Sequence, residues 1–293
     1  MTLIEVIEAM SARLESAGVC FGHGTTNAFD EAAWLVLWQL KLPLDALDEF
    51  AERGLSADEL RDVEALVEQR IATRRPAAYL TGEAWLHGVP FTVDERVIVP
   101  RSLIAEVIVD GTVDAWLSDR TTRVLDLCTG NGSLAVLAAM AWPDVVIDAA
   151  DLSADALAVA RLNVDRHDLA ARITLHRGDG LAAVAGRRYD LILCNPPYVN
   201  RQSMNDLPAE YRAEPALALD GGDDGMDFIR TLLHDAPAAM TGDDAVLVLE
   251  IGHERAHFEH AFPTLAPVWL PTSAGDDQVL LLTRAALATL KTP

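Results

Sequence analysis

Cysteine, long apolar runs and targeting signals are scarce or missing in this chain. Its three cysteines, Cys20, Cys128 and Cys194, lie far apart and form no CxxC pair, so we expect neither a disulfide framework nor a cysteine metal site. No apolar run approaches the roughly 18 residues that cross a bilayer. The N-terminus has no basic region before an apolar one, so no secretory signal is predicted. These absences predict a cytoplasmic protein without a membrane partner.

Positive charge is scarce as well. The chain has 23 Lys and Arg against 45 Asp and Glu, a formal net charge of −22. Nucleic acids are bound through basic contacts to phosphate, so direct binding of nucleic acid is not expected. A negative field would instead attract a basic protein partner, although an acidic surface can also serve solubility alone.

The pattern of apolar residues changes along the chain and predicts two domains and a connector. Residues 1–76 have helical spacing, with Asn27 as a helix cap and Ser56 with Glu59 as a capping box. Residues 77–102 contain short β-prone pieces broken by glycine and proline, which predicts a β-hairpin. Residues 103–293 begin with a helix over 103–117 and then alternate short apolar strands with helices. This alternation is typical of an α/β fold with a mostly parallel sheet.

The first strand of that sheet runs through Asp126 into the loop CTGNG. Gly130 and Gly132 let the backbone approach a ligand at the start of the next helix, where open α/β sheets bind ligands. The third glycine of the dinucleotide fingerprint is missing. Tight turns also use glycine, so the loop alone fits a structural turn equally well.

Acidic residues end the next two strands. Asp151 is placed to accept hydrogen bonds from a ribose diol, or else to help Ser153 start the following helix. Asp179, in RGDG, is placed to accept from an exocyclic adenine amine. Because parallel strands end at one edge of the sheet, these residues together favour a nucleotide site more than any one does alone.

The fourth strand ends in NPPY, residues 195–198. Asn195 offers a carbonyl acceptor and an amide donor, and Pro196 leaves its own carbonyl free while fixing the chain direction. Tyr198 can pack on a flat group. Two fixed acceptors suit a planar –NH₂ group, so the motif predicts a site that points an amide or aromatic amine at a cofactor.

DLCTGNG, Asp151, GDG and NPPY, in this order, resemble the methyltransferases of the seven-stranded class that modify planar nitrogens. The connector PAAYLTGEAWLHGVPFTVDERVIVPRS and the later EPALALDGGDDGMDFIRTLL are similar to the protein glutamine-N5 methyltransferases. The resemblance covers nearly the whole chain. It implies a Rossmann-like sheet of seven strands, a small helical N-terminal domain that binds the protein substrate, and S-adenosylmethionine as cofactor.

The segment after the connector separates two branches of that family. The branch that acts on peptide-chain release factors typically reads PRPETE, whereas this chain reads PRSLIAE at residues 100–106. With the preceding VDERVIVPRS it resembles the branch that methylates a glutamine of large-subunit ribosomal protein three. The GGQ glutamine of release factors, an amine of nucleic acid and a non-catalytic role in ribosome assembly remain as alternatives.

The resemblance also implies roles for single residues. Asn195, Pro196 and Tyr198 would be catalytic and, with Pro197, would bind the substrate amide. Arg101 and Glu214 would contact substrate or form a structural salt bridge. The residues implied to bind the cofactor are Asp126, Cys128, Thr129, Gly130, Asn131, Gly132, Asp151, Leu152, Asp179, Gly180 and Asn195.

One motif indicates a different chemistry. His253, Glu254 and His257 match the H-E-x-x-H pattern of zinc peptidases. The pattern directly follows a strand of the sheet, has no recognisable third ligand and arises easily by chance. No metal is therefore expected.

Overall fold

Helix caps and apolar faces shape the first part of the chain. In the computed structural model, which describes residues 1–290, Asn27 accepts a hydrogen bond from the backbone of Asp30 at 2.9 Å. Ser56 and Glu59 form the predicted capping box. Asn27 caps the second helix of this part of the chain and Ser56 caps the fourth. The four helices are α1 (Leu3–Ser16), α2 (Ala28–Gln39), α3 (Leu47–Phe50) and α4 (Ala57–Thr73).

The helical domain has an apolar core of its own. Leu3 and Leu14 of α1, Leu35 of α2 and Val67 of α4 are fully buried against one another. Burial of one such side chain contributes about 1.5–3 kcal/mol, so the packing of apolar faces stabilises this domain more than helix propensity does.

The connector contains the predicted hairpin and one helix that was not predicted. Helix α5 (Ala77–Thr81) starts after Pro76 and ends at Gly82. Strands β1 (Glu83–Leu86) and β2 (Val89–Thr92) follow and pair antiparallel. Their two-residue turn, His87–Gly88, has positive φ at both positions, which matches the twist of a hairpin.

Within residues 1–290 the third part of the chain forms a seven-stranded, mostly parallel sheet, as expected. Its order is β5-β4-β3-β6-β7-β9-β8; the first five are parallel, and β9 is antiparallel to its neighbours. Chain order reverses at β3, where such sheets form a ligand crevice. The strands are β3 (Arg123–Leu127), β4 (Val146–Asp151), β5 (Ile173–Arg177), β6 (Leu191–Cys194), β7 (Val246–Glu250), β8 (Val268–Thr272) and β9 (Gly275–Thr283).

Helices cover both faces of the sheet. One apolar layer includes Val136 and Val159, and the other includes Ile229 and Leu233. The helices are α6 (Ile104–Val109), α7 (Ser133–Ala141), α8 (Ala154–Arg166), α9 (Arg201–Asp206), α10 (Ala209–Arg212), α11 (Asp227–Ala239), α12 (Arg255–Ala261) and α13 (Arg284–Leu287).

The expectation of one helix over residues 103–117 was wrong. Gly111 takes a left-handed φ of 67° after α6, and a 3₁₀ turn at Thr112–Trp116 follows. Strand β8 was also missed, because VWLPT carries a proline and lies at the sheet edge, where proline is tolerated. No helix among the described residues is long and apolar enough to span a membrane.

A buried ion network joins the helical domain to the sheet domain. Arg70 of α4 is fully buried and pairs with Glu31 of α2 at 2.9 Å and with Glu210 of α10 at 3.5 Å. Glu210 also accepts a hydrogen bond from the backbone of Cys20 at 3.1 Å. Since buried charges persist only when paired, the network fixes the position of one domain against the other.

Candidate active site

A cleft opens where β3, β4, β5 and β6 end, and we call it the strand-end cleft. Of the predicted strand-end residues, Asp151, Asp179 and Asn195 line this cleft. Among its lining residues are Cys128, Gly130, Asp151, Leu152, Asp179, Gly180, Asn195 and Pro197.

Asp126 lies beneath the glycine loop rather than in the cleft wall. It is fully buried and accepts hydrogen bonds from the Thr129 hydroxyl and from the backbone of Ala135, the latter at 3.0 Å. Burial raises the pKa of Asp126 to about 7. Its Oδ1 has no hydrogen-bond partner within residues 1–290. Asp126 therefore holds the loop and keeps one acceptor free.

The residues of the glycine loop line two spaces, the strand-end cleft and a smaller cavity beside it, which we call the small cavity. Thr129 and Asn131 line the small cavity together with Arg101 and Asn195. The Asn131 side-chain amide nitrogen is buried and unpartnered among the described residues. Buried polar groups are normally hydrogen-bonded, so this free donor in the wall of the cavity suits a polar ligand.

The two glycines of the loop have different tasks. Gly130 has a φ of 56° and open space where a Cβ would lie, so its backbone faces the cleft. At Gly132 a Cβ would lie 3.2 Å from the Cβ of Ala160. Gly132 thus lets α7 approach α8 closely, which is a packing task.

Asp151 supports the start of the following helix, one of the two roles that the sequence left open, and it also lines the cleft. Its Oδ2 accepts from the Gly130 backbone at 2.9 Å, and its Oδ1 accepts from the Ser153 backbone at 2.8 Å. Ser153 in turn caps α8. Burial raises the pKa of Asp151. Each oxygen has a second lone pair, so the carboxylate can still accept from a ligand in the cleft.

Asp179 and an unpredicted aromatic ring form the far wall of the cleft. The Asp179 carboxylate accepts no hydrogen bond from the described residues, and Asp179 lies two positions after the end of β5. Phe228 of α11 lines the same wall next to Gly180. The sequence did not predict Phe228, because its contact with Gly180 is a tertiary one that no local pattern reports.

A second cavity, which we call the tyrosine pocket, lies beyond Asn195. Asn195 borders the strand-end cleft, the tyrosine pocket and the small cavity alike. Within residues 1–290 no group forms a hydrogen bond with its side chain, and no backbone N–H donates to the carbonyl of Pro196. The tyrosine pocket is lined among others by Arg101, Asn195, Pro196, Tyr198, Tyr211, Glu250 and His253.

Three glycines hold the NPPY segment in place. A Cβ on Gly225 would lie 2.2 Å from the Tyr198 carbonyl oxygen, and one on Gly221 would lie 2.8 Å from the Tyr198 Cα. A Cβ on Gly252 would lie 2.5 Å from the Tyr198 ring. The glycines of LDGGDDG and EIG are therefore needed for close approach.

Glu250 is the main site residue that sequence reasoning missed. Its Oε1 accepts from the Tyr198 hydroxyl at 3.1 Å, while its Oε2 accepts from the Ser102 hydroxyl at 2.6 Å and from the Leu103 backbone at 2.9 Å. Burial raises its pKa. One signal was available: Glu250 is the single charge that ends an otherwise apolar strand, AVLVLE.

Arg101 and Glu214 meet each other directly. Two parallel hydrogen bonds of 2.7 Å join the guanidinium to the carboxylate, and Glu214 also accepts from the Val99 backbone at 2.8 Å. The Arg101 charge lowers the pKa of Glu214 to about 2, although burial alone would raise it. Arg101 lines the tyrosine pocket, whereas Glu214 lies behind it and orients it.

The H-E-x-x-H residues are tied to their neighbours. Glu254 accepts from the side-chain amide of Asn200 at 2.6 Å and contacts His257 at 2.5 Å. Within residues 1–290 no group of three or more His, Cys, Asp or Glu side chains is arranged to hold a metal ion.

The chain is similar to known methyltransferases. Residues 112–214 match the family model "Methyltransferase small domain". Over 290 residues the chain is 53% identical to the ribosomal protein uL3 glutamine methyltransferase of Bordetella pertussis, covering 98% of this chain and 97% of that one. The protein of the same name from Burkholderia pseudomallei is 51% identical, with coverages of 96% and 94%.

Solved structures support the fold. A methyltransferase from Pyrococcus furiosus aligns with a TM-score of 0.50 at 17% identity, over 76% of this chain and 98% of that one. The hMettl16 catalytic domain aligns with a TM-score of 0.53 at 13% identity, over 81% of this chain and 85% of that one.

Proposed function

The chain belongs to the family of ribosomal protein uL3 glutamine methyltransferases, and from this premise we infer that it methylates N5 of a glutamine side chain in uL3. The methyl donor in this proposal is S-adenosylmethionine, and the two cavities that meet at Asn195 take the donor and the glutamine. The observation that carries the proposal is the unpartnered Asn195 side chain at that junction.

The strand-end cleft fits the donor. Asn131, whose side-chain amide nitrogen is orphaned, lines the small cavity beside the cleft, where the carboxylate of the donor's amino acid moiety would accept from it. Asp126 would act from beneath the loop by holding its backbone. Asp151 would hold the ribose hydroxyls, and Asp179 with Phe228 would hold the adenine. When bound, the sulfonium group supplies a methyl carbon that is already activated for transfer.

The NPPY segment would hold the glutamine amide. An amide nitrogen is a poor nucleophile because its lone pair is delocalised into the carbonyl. The Asn195 side-chain oxygen and the Pro196 carbonyl would each accept a hydrogen bond from one N–H of the glutamine amide. These two bonds would raise the electron density on the amide nitrogen and aim it at the cleft. Tyr198, fixed by Glu250, would pack beside the amide plane.

The rest of the proposal concerns the partner. Residues 1–76 would bind the protein substrate, and Arg101, which lines the tyrosine pocket, would donate a hydrogen bond to a carbonyl or carboxylate of the bound chain. A net charge of −22 favours a basic ribosomal protein over a nucleic acid. Because that substrate is part of the ribosome, the enzyme would work in the cytoplasm.

The proposal is tested with purified enzyme, labelled S-adenosylmethionine, and two unmethylated substrates, uL3 and a release factor. Mass spectrometry of each product should find one methyl group on one glutamine of uL3. Methylation of the release factor alone would contradict the substrate assignment, and transfer to neither would contradict the enzymatic role.

A pair of variants tests the role of Asn195. Asn195→Ala should lower kcat on uL3 by about 100-fold or more, the scale of losing a positioned group, and should leave binding of S-adenosylmethionine measurable by calorimetry. Asn205→Ala is the matched control, because Asn205 is exposed and lines neither cavity. Equal activity of both variants would remove Asn195 from the mechanism.

A further inference from the structure

An aromatic groove lies between the helical domain and the hairpin, and we call it the tryptophan groove. Trp34 and Trp38 of α2 and Trp85 of β1 line it, together with the segment 41–45 that follows α2. Three of the six tryptophans of the chain therefore face one groove. Large exposed aromatic surfaces on soluble proteins are typical of interaction sites.

Trp85 is the most accessible anchor of the groove. It is 43% exposed, and its indole N–H donates to Glu83 at 3.0 Å. The ring is therefore held in place while much of it faces solvent. A rigid aromatic side chain loses little entropy when a partner covers it.

One glycine loop separates the groove from the tyrosine pocket. A Cβ on Gly22 would lie 2.3 Å from the Tyr211 hydroxyl oxygen, and Tyr211 lines the tyrosine pocket. Gly24 and Thr25 line the groove. Since two residues span at most about 7 Å of chain, the loop brings the edge of the groove close to Tyr211.

The charge around the groove selects the kind of partner. Residues 1–76 contain 14 acidic and 7 basic residues, a net charge of −7. The groove wall carries two carboxylates, Asp45 and Glu83, and one basic residue, Lys41. Asp45 is exposed and has no ion-pair partner among residues 1–290. Arg and Lys side chains pair with carboxylates and stack on tryptophan rings. A second copy of this chain, which also carries −22, is electrostatically the worse occupant.

We propose that the tryptophan groove docks a basic segment of the protein substrate while the substrate's glutamine occupies the tyrosine pocket. This inference rests on the proposed function, since it assigns the groove to the same substrate. The enzyme then recognises its substrate at two places, and the groove contributes to affinity without taking part in methyl transfer.

Steady-state kinetics with full-length uL3 tests the docking. Trp85→Ala should raise KM for uL3 about tenfold, as loss of an interface anchor does, with kcat and the affinity for S-adenosylmethionine unchanged. Asp45→Lys should also raise KM, and more at low salt than at high salt. The matched controls are Met140→Ala, at 44% exposure, and Asp144→Lys, at an exposed aspartate outside the groove.

The outcomes separate this inference from the function on which it rests. If wild-type enzyme methylates uL3 and both groove variants keep its KM, the docking inference is overturned and the function stands. If wild-type enzyme does not methylate uL3, both are overturned. Sedimentation gives the remaining outcome: a wild-type dimer that Trp85→Ala converts to monomer would assign the groove to a second copy and overturn the docking.

Discussion

At the scale of single residues, Tyr198 and Glu250 form a pair that links two strand ends. The hydroxyl of Tyr198 donates a hydrogen bond to Glu250, and the hydroxyl of Ser102 in the connector donates another. Ser102 stands where the release-factor branch has proline. A proline there has no hydroxyl to donate, so the departure from that branch has a direct structural consequence at this carboxylate.

The pair predicts coupled effects of two substitutions. Tyr198→Phe and Glu250→Gln should each lower kcat on uL3 by about 10- to 100-fold, the worth of a hydrogen bond to a charged group, and the double variant should be no slower than the worse single one. Kinetics of the double-mutant cycle measures this coupling. Multiplied effects would mean that Glu250 acts independently of Tyr198.

Tyr79→Phe is the control for a lost buried hydroxyl. Tyr79 is buried and donates to the Val97 carbonyl, but it does not line the tyrosine pocket. We expect this variant to lose stability and to keep kcat.

Glu214 predicts a pH dependence of stability. Its pKa is about 2 in the folded protein against an ordinary value of 4.5. A lowered carboxyl pKa stabilises the fold above pH 4.5, by about 3 kcal/mol here, and roughly half of that is lost by pH 3. The stability difference between wild type and Glu214→Gln in urea should therefore shrink as pH falls from 5 to 3.

A control variant separates this effect from general acid unfolding. Glu68 pairs with Arg13 at the surface, with 62% of its side chain exposed, so Glu68→Gln should differ from wild type by a small amount at every pH. A constant difference for Glu214→Gln as well would contradict a lowered pKa in the folded state.

At the scale of elements, the glycines around NPPY set the shape of that segment. Gly225→Ala should shift that segment, because the new Cβ would lie 2.2 Å from the Tyr198 carbonyl and φ is 77°. A left-handed φ alone costs an alanine about 1–2 kcal/mol. We expect a loss of kcat of about 100-fold, larger than the loss of stability would explain.

Gly242→Ala is the matched control, since nothing lies within 4 Å of its added Cβ and its φ is not left-handed. Melting curves and kinetics of both variants check the prediction. If Gly225→Ala keeps wild-type kcat, the close packing does not set the geometry of the site.

The elements also indicate how far sequence reasoning reaches. The parallel strands, the caps at Asn27 and Ser56 and the NPPY turn were predictable because each depends on residues next to one another. Glu250 was not, since its partners Tyr198 and Ser102 lie 52 and 148 positions away. The interruption of the predicted helix over residues 103–117 at Gly111 was missed, because one glycine inside a helical pattern does not always end the helix.

The candidate site was likewise predictable only where it depends on local sequence. The sequence indicated candidate residues at the strand ends, and PRSLIAE indicated the uL3 branch, in agreement with the family of the chain. The placement of Asp126 beneath the loop, the packing task of Gly132 and the pairing of Arg101 with Glu214 depend on tertiary contacts. No local pattern reports those contacts.

At the scale of the whole molecule, the buried network around Arg70 fixes the helical domain against the sheet domain. Arg70 pairs with Glu31 of its own domain and with Glu210 of the other, and the side chains of Arg70 and Glu31 are fully buried. Arg74 adds a contact to Glu210 at 3.3 Å. If the tryptophan groove docks the substrate, this network also keeps the groove at a fixed distance from Asn195.

Arg70→Met should therefore affect both stability and catalysis. Removing one member of a buried ion pair costs about 3–5 kcal/mol, because the carboxylates remain buried without a counter-charge. Urea unfolding should show that loss, whereas Arg13→Met, at a surface pair with Glu68, should lose about 1 kcal/mol or less. At a temperature where the Arg70→Met protein is folded, its KM for uL3 should rise while its affinity for S-adenosylmethionine stays the same, because the cleft lies wholly in the sheet domain and its connector. An equal weakening of both would mean that the network supports the fold as a whole and not the placement of the helical domain.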